Sequence, residues 1–296
     1  MSDERTYSTR ELAQMWNLSE STIKRWADAG QLHCHRTPGG HRRFQVQDIR
    51  DFQTKHRFEG TGLLTFAPWE DPDIEVSVNQ KKLDKVRDSI LHLATQNQSV
   101  RIKDLLERLY IRGMALVELY DDVLVPLAET AQEAAQTGKL VKGQERLVRS
   151  NLEEAMYNFF PRVIRRRPNG RTGLCGSPEN MSTQSVDAIA RTLEVEGWEC
   201  LKLGENVPLD EMAEMVEQEP VNLVCVASSK QQEASLLDHF DTLYEASHNY
   251  RIPLVLVGKG FADSDYRIQF PHDDYLSNLR LLRDFIIELN RKESAL

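Results

Sequence analysis

No apolar run in this chain approaches the ~18 residues that a membrane-spanning helix needs. The first residues, Met1-Ser2-Asp3-Glu4-Arg5, are polar, so no signal peptide is expected. Cysteine is scarce: Cys34, Cys175, Cys200 and Cys225 stand far apart, three of them in apolar, strand-like runs. A disulfide framework or a cysteine-based zinc site needs clustering at short spacing, so the expectation is reduced thiols, no metal site and a cytoplasmic protein. Catalytic signatures are also missing. No glycine-rich loop leads into Lys-Ser or Lys-Thr, no Gly-x-Ser-x-Gly elbow appears, and no two acidic residues can be assigned to one pocket. The chain is therefore not expected to be an enzyme.

What is present is ordinary globular material: 296 residues, 28% of them charged, enough for about two domains with real cores. The net charge of −9 is unevenly spread. Residues 1–58 carry ten Lys/Arg against seven Asp/Glu, whereas the remainder carries 27 against 39. A basic head on an acidic body fits a module that binds a polyanion while the body is repelled from it.

Residues 8–16 read as a short helix. Ser8 is placed to cap it, and Glu11, three residues on, completes a capping box. Ser19 caps a second helix, Glu20 to Ala29, which Gly30 ends. The run from His33 to Phe44 carries Pro38-Gly39-Gly40 between two short extended arms and reads as a hairpin. A third helix follows, with Val46, Ile49 and Phe52 on one face. Leu12, Ala13, Leu18, Ile23 and Trp26 supply the small core, and Trp26 belongs there rather than against a base.

Two short helices and a basic hairpin make a head for DNA. The second helix is sized for the major groove and offers Ser21, Thr22, Lys24 and Arg25. The hairpin offers Arg36, Thr37, His41, Arg42 and Arg43 around Gly39 and Gly40, whose small size lets backbone approach phosphate. The segments Tyr7–Ala13, Leu18–Trp26 and Arg36–Phe44 closely resemble the MerR-family DNA-binding domain. That resemblance, about 50 residues long, implies a winged helix-turn-helix with Ser21, Thr22, Lys24 and Arg25 in the major groove. It places Arg36, His41, Arg42 and Arg43 on a wing along the backbone and minor groove. A single small head rarely suffices for specific affinity, so a homo-oligomer, dimer or higher, on a two-part double-stranded DNA operator is expected.

Residues 58–79, with Gly60, Gly62, Pro68 and Pro72, have no sustained period and read as a linker. Four helices are expected near 81–97, 100–112, 114–136 and 142–166, kinked at Pro126 and Pro161. After Pro168-Asn169-Gly170 short apolar runs alternate with amphipathic helices. Strands are expected at Thr172–Cys175, Glu199–Leu203, Val221–Val226, Pro253–Val257 and, weakly, Arg267–Phe270. Helices are expected near 182–196, 208–218, 231–248 and 274–290. This alternation predicts a doubly wound, flavodoxin-like parallel sheet of five strands. The multidomain plan is thus a head over 1–57, a linker over 58–80, a four-helix bundle over 81–168 and an α/β domain over 169–296.

The body resembles the cobalamin-binding module of light-sensing MerR-type repressors. The likeness rests on Gly197-Trp198, Leu203-Gly204-Glu205-Asn206-Val207-Pro208, Ser228-Ser229 and Val257-Gly258-Lys259-Gly260. That family ligates cobalt through a His two residues after an acidic residue. Here Glu179 aligns, but Met181 stands in place of the His and Gln184 in place of a following Gly. In the bundle, Glu145-Arg146 replaces a Glu-His pair, and a Trp expected before Gly138 is absent. A thioether is a poor substitute for imidazole on cobalt. The sequence therefore predicts a degenerate sensor or oligomerisation domain in a transcription regulator, a repressor, without cobalamin. Alternatives are a cobalamin- or haem-binding sensor, with His239, His248 or His272 as lone candidates for haem, or a protein-interaction platform of the antirepressor type without a small ligand. Any ligand crevice lies at the carboxyl ends of the strands, lined by Ser177, Glu179, Asn180, Met181, Ser228, Ser229, Lys230, Gly258 and Lys259.

Overall fold

The computed structural model describes residues 6–16, 18–55, 83–178, 184–229 and 237–293. Two compact units make up the chain, Met1–Ile164 and Arg165–Leu296. The sequence-predicted linker lies outside the described residues.

The first unit opens with β1 (Tyr7–Ser8), α1 (Thr9–Met15) and α2 (Glu20–Asp28), then β2 (His35–Arg36), β3 (Arg42–Phe44) and α3 (Val46–Lys55). The capping box forms as expected. The Ser8 backbone N–H donates to Glu11 Oε2 at 2.8 Å, and the Glu11 N–H donates to Ser8 Oγ at 3.2 Å. Burial draws the Glu11 carboxyl pKa upward, but hydrogen bonds from Ser8 together with the charges of Arg162 and Arg43 hold it below its ordinary value. Ser19 Oγ accepts the Thr22 N–H at 3.2 Å and starts α2, and Gly30 adopts a φ of 68° just beyond its end. The hairpin turns at Thr37, whose N–H donates to the His41 carbonyl at 2.9 Å. Its arm β3 is the centre of a three-stranded antiparallel sheet in the order β1-β3-β2. The strand β1 was not expected, because two residues are too few to show an alternation. Trp16, Leu12, Ile23 and Ile49 are fully buried, and Trp26 packs on Trp16 and Phe52 with ring centres 6.2 and 5.1 Å away.

The bundle comprises α4 (Asp84–Thr95), α5 (Ser99–Ile111), α6 (Leu116–Glu118), a π-helical segment Leu119–Leu124, α7 (Val125–Gln136) and α8 (Lys142–Phe159). Val86, Ile90, Leu106, Leu109, Leu127, Val148 and Leu152 form its core, at the helical spacing read from the sequence. Pro126 has no N–H for the carbonyl of Asp122. The helix widens there into a π-turn, in which the Val125 N–H reaches Tyr120 O. Arg87 from α4 then donates to Asp122 O at 2.8 Å, satisfying the freed carbonyl. The last helix stops at Phe159 rather than 166, and Pro161 falls in a 3₁₀ turn, Phe160–Arg162.

The head docks on this bundle through a buried carboxylate. Glu107 on α5 accepts the Tyr7 hydroxyl and pairs with Arg162 at 2.9 Å and Lys103 at 2.7 Å. The Arg162 guanidinium also lies 4.9 Å over the Tyr7 ring. Burial, then the neighbouring Glu107 charge, push the Tyr7 hydroxyl well above its ordinary pKa, so it remains a donor.

In the second unit β4 (Thr172–Gly176), β5 (Glu199–Gly204), β6 (Leu223–Ala227), β7 (Leu254–Val257) and β8 (Asp274–Leu276) form one parallel sheet in the order β5-β4-β6-β7-β8. With α9 (Gln184–Val195), α10 (Leu209–Gln218), α11 (Leu237–Asn249), α12 (Ser264–Arg267) and α13 (Leu279–Glu293), this is the doubly wound arrangement that the βα alternation predicts. Two expectations need correction. Arg267–Phe270 is not a strand: Asp263 Oδ1 accepts the N–H groups of Asp265 and Tyr266 and nucleates the short helix α12. The helix expected over 274–290 is divided, residues Asp274–Leu276 forming the edge strand β8 before α13 begins at Leu279. Three residues, one of them an aspartate, give no apolar run to read. The apolar centre is Leu174, Val224, Val226, Leu254 and Leu256, covered by Met212, Phe240, Phe261 and Phe270.

Two stability predictions follow from these packing details. Gly258 sits at φ 104°, and a Cβ there would lie 2.5 Å from Ser228 O, whereas one on Gly204, at φ 94°, would meet nothing within 4 Å. Gly258→Ala should therefore destabilise the second unit by more than the ~1–3 kcal/mol of backbone strain alone, and Gly204→Ala by that strain only. Equal urea midpoints for the two variants would contradict the close approach. Glu107→Ala should cost the first unit about 1.5–3 kcal/mol by stranding charged donors, and Tyr7→Phe should cost less. A Glu107→Ala melting curve matching the unmodified protein would remove the docking role.

Candidate nucleic-acid interface

The expected DNA contacts fall on two neighbouring surfaces of the head. On α2, Ser21, Lys24 and Arg25 are exposed and Thr22 half-buried. Lys24 pairs with Glu20 one turn back, at 3.2 Å. The two hydroxyls have a second task that the sequence did not reveal. Ser19 Oγ lies 2.7 Å from Ser21 Oγ and 3.0 Å from Thr22 Oγ1, so both belong to the helix-start network.

On the hairpin Arg36, Gly39, Gly40 and His41 are exposed, while Thr37, Arg42 and Arg43 are half-buried. Thr37 holds the turn: its Oγ1 accepts the His41 N–H at 3.2 Å, and its carbonyl accepts the Gly40 N–H at 2.8 Å. Gly40 adopts a φ of 79°, which a side chain would strain. Asp28, the last residue of α2, accepts from both Arg36 and Arg42. The carboxylate therefore fixes the hairpin against α2. Arg42 keeps only 16% of its side chain exposed, and Arg43 Nη1 donates to the Arg42 carbonyl at 3.4 Å. Sequence reasoning missed Asp28, whose partners lie 8 and 14 residues away.

The second expected site lies at the carboxyl edge of the sheet. Ser228 and Gly258 come together there: the Ser228 N–H donates to Val257 O at 3.0 Å, and Ser228 O accepts the Gly260 N–H at 3.0 Å. Ser177 and Ser228 are buried, and Ser229 and Lys259 are exposed. Glu179, Asn180, Met181 and Lys230 lie outside the described residues. Among the described residues, the loops at this edge carry no imidazole that could ligate cobalamin. They offer hydroxyls and a lysine, and methionine is the residue type at the position where the resemblance leads one to expect the axial histidine. Among the histidines weighed for haem, His239 is exposed on α11 and His248 stacks on Tyr244 with ring centres 5.8 Å apart. His272 Nδ1 lies 2.6 Å from the Phe270 carbonyl and donates to it. In the bundle, Arg146 is exposed and Glu145 pairs with Arg149 at 3.7 Å.

Two further features were not expected. Cys175 and Cys200, on neighbouring strands, bring their sulfurs to 3.2 Å as free thiols. The Cys200 thiol, then burial, push the Cys175 pKa up, so this thiol stays protonated at neutral pH. At the opposite, amino-terminal edge of the sheet a cavity of about 540 Å³ opens among Arg166, Arg167 and Arg171. Its buried Glu196 is held at 2.8 Å by both Arg166 and Arg283.

Comparison with known proteins bears on both the head and the body. Residues 6–57 match the family described as a helix-turn-helix domain. No curated protein matches the chain. The monomethylamine corrinoid protein of Methanosarcina barkeri is similar in structure at 15% identity, with a TM-score of 0.57 over 71% of this chain and 99% of that one. A cobalamin-binding protein of Desulfitobacterium hafniense DCB-2 is 14% identical with a TM-score of 0.34, over 73% of this chain and 93% of that one. The protein thus joins a helix-turn-helix DNA-binding domain to a body with the fold of corrinoid-binding proteins. Among the described residues, no helix is long and apolar enough to cross a membrane.

Replacing Arg42 and Arg43 together with Ala should weaken binding to every DNA sequence and flatten the salt dependence by up to ~2 log units per log salt, about 0.9 per phosphate lost. Asp28→Asn should weaken binding while leaving that slope in place, since it loosens the hairpin and removes no cation. Titrating a duplex at several salt concentrations separates the two effects. A double variant with an unaltered slope would take these arginines off the phosphates.

Proposed function

We propose that the protein is a MerR-type transcription regulator, a cytoplasmic repressor that binds its operator as a dimer or higher homo-oligomer. The observation that carries this reading is the pairing of the exposed polar start of α2 with a basic hairpin fixed to it by Asp28. One surface inserts in the groove and reads base edges; the other sits on phosphates and sets register. The hairpin acts as the wing. The body serves as a sensor or assembly domain and carries out no catalysis.

Its fold supports a ligand-responsive role, because doubly wound sheets bind ligands at their carboxyl edge. The chemistry of that edge argues against adenosylcobalamin as the ligand. Met181 supplies no imidazole, Gln184 adds bulk where the related module has glycine, and Arg146 alters the bundle. Overfilling a tightly packed slot costs about 1–3 kcal/mol, so several such changes together should abolish tight binding. The second reading, a cobalamin sensor, draws on the fold shared with the corrinoid protein.

The two readings separate in one experiment. The full-length protein is mixed with adenosylcobalamin in the dark, passed through a gel-filtration column and examined by visible absorption. The expected result is protein without cofactor, eluting larger than a monomer. Co-elution at one cofactor per chain would establish the cobalamin reading instead.

A further inference from the structure

We infer that His33, His35 and Asp48 form a binding site for a divalent transition metal of the Zn²⁺ class, joining the hairpin to the start of α3. Three local devices bring the residues together. Gly30 turns the chain out of α2, and the fully buried Leu32 anchors the extended stretch that follows. In extended chain, residues two apart project to the same side, so His33 and His35 face one way and Cys34 the other. Asp48 stands in the first turn of α3, where Oδ2 accepts the Gln45 N–H at 3.2 Å and holds the carboxylate still.

The geometry is close to that of a coordination shell. His33 Nδ1 lies 3.0 Å from Asp48 Oδ1, and the two imidazole rings stand 5.0 Å apart and nearly perpendicular. One ligand atom from each of the three residues lies within 4.8 Å of the other two. Ligands around a tetrahedral Zn²⁺ at 2.0–2.1 Å are roughly 3.4 Å apart, so small rotations of two exposed imidazoles complete the set. Two imidazole nitrogens and one carboxylate oxygen are the donors that suit Zn²⁺, Ni²⁺, Cu²⁺ and Co²⁺, and poorly suit Mg²⁺ or Ca²⁺. Three protein ligands leave one tetrahedral position for water. His33 then carries its proton on Nε2, and the metal replaces the hydrogen bond between Nδ1 and Asp48.

Placement gives the site a consequence. His35 belongs to β2 and pairs in register with Arg43, while Arg36 pairs with Arg42. A metal shared between His35 and Asp48 therefore ties the strand bearing the hairpin's arginines to α3. The expectation of no metal rested on cysteine spacing alone. It overlooked this set because Asp48 is 15 residues from His33 in the chain.

The test uses full-length protein, stripped of metal and with its thiols reduced, titrated with Co²⁺ and then with competing Zn²⁺. The expected result is one Co²⁺ per chain, visible d–d bands without a thiolate charge-transfer band, and displacement by Zn²⁺. His35→Gln and Asp48→Asn should each weaken binding by at least about tenfold, and Asn retains the capping oxygen so that α3 is preserved. Unchanged circular dichroism verifies that both variants fold. Absence of saturable binding overturns the proposal. So does binding that shows the thiolate band and survives His35→Gln, which would assign the metal to a cysteine site.

Discussion

A carboxylate taken out of water must be surrounded by donors, and in the first unit Glu107 imposes that requirement. An unpaired charge in such a position costs several kcal/mol, so the donors that satisfy it are held in place. They come from separate stretches: Tyr7 from the first strand, Lys103 from the same helix one turn back, and Arg162 from the turn after α8. Because Tyr7 sits on β1, and β1 pairs with β3, the position of the hairpin is set from the bundle. Tyr7 lies opposite Phe44, and Ser8 opposite Arg43. The helix-turn-helix head is therefore attached to the bundle through folded, hydrogen-bonded structure as well as through the chain that joins them.

The same economy of charge governs the hairpin. Asp28 accepts from two arginines that would otherwise repel each other, and it does so at the carboxyl end of α2, where a negative charge is not favoured by the helix dipole. What the carboxylate gains is the pair of guanidiniums. Bringing DNA phosphates near introduces competing anions for these cations, and the outcome depends on burial. Arg36 keeps 59% of its side chain exposed and turns outward with less loss of packing than Arg42, which keeps 16%.

Local signals were legible in the sequence. Ser8 with Glu11, and Ser19 before α2, act over three residues, so their spacing alone identified the helix starts. Pro38-Gly39-Gly40 fixed the turn for the same reason, and the alternation of strands and helices after residue 170 gave the sheet. The misses share another cause. Strands β1 and β8 have two and three residues, too few to carry a period, and exist because longer neighbours pair with them. Glu107, embedded in Leu105-Leu106-Glu107-Arg108-Leu109, reads as a solvated charge; its partner Tyr7 is 100 residues away. The cluster of His33, His35 and Asp48 is hidden in the same way, by a contact that only folding creates. At the carboxyl edge of the sheet, Ser228 and Gly258 come together because backbone pairing puts strand ends side by side whatever their side chains.

That last point explains how a body keeps a corrinoid-protein fold whatever its loops carry. The fold rests on backbone ladders and on an apolar centre of Leu174, Val224, Val226, Leu254 and Leu256, none of which is at the loop ends. Gly258 is an intermediate case. Its φ of 104° and its close approach to Ser228 O are demanded by the path of the backbone, so the glycine is needed whether or not anything binds there. A glycine at this place is thus evidence for the turn and carries no information about a ligand. Residues whose only role is to touch a ligand, such as an axial imidazole, have no such second duty. Such residues are free to differ between proteins that share a fold, so the fold alone does not determine what binds at this edge.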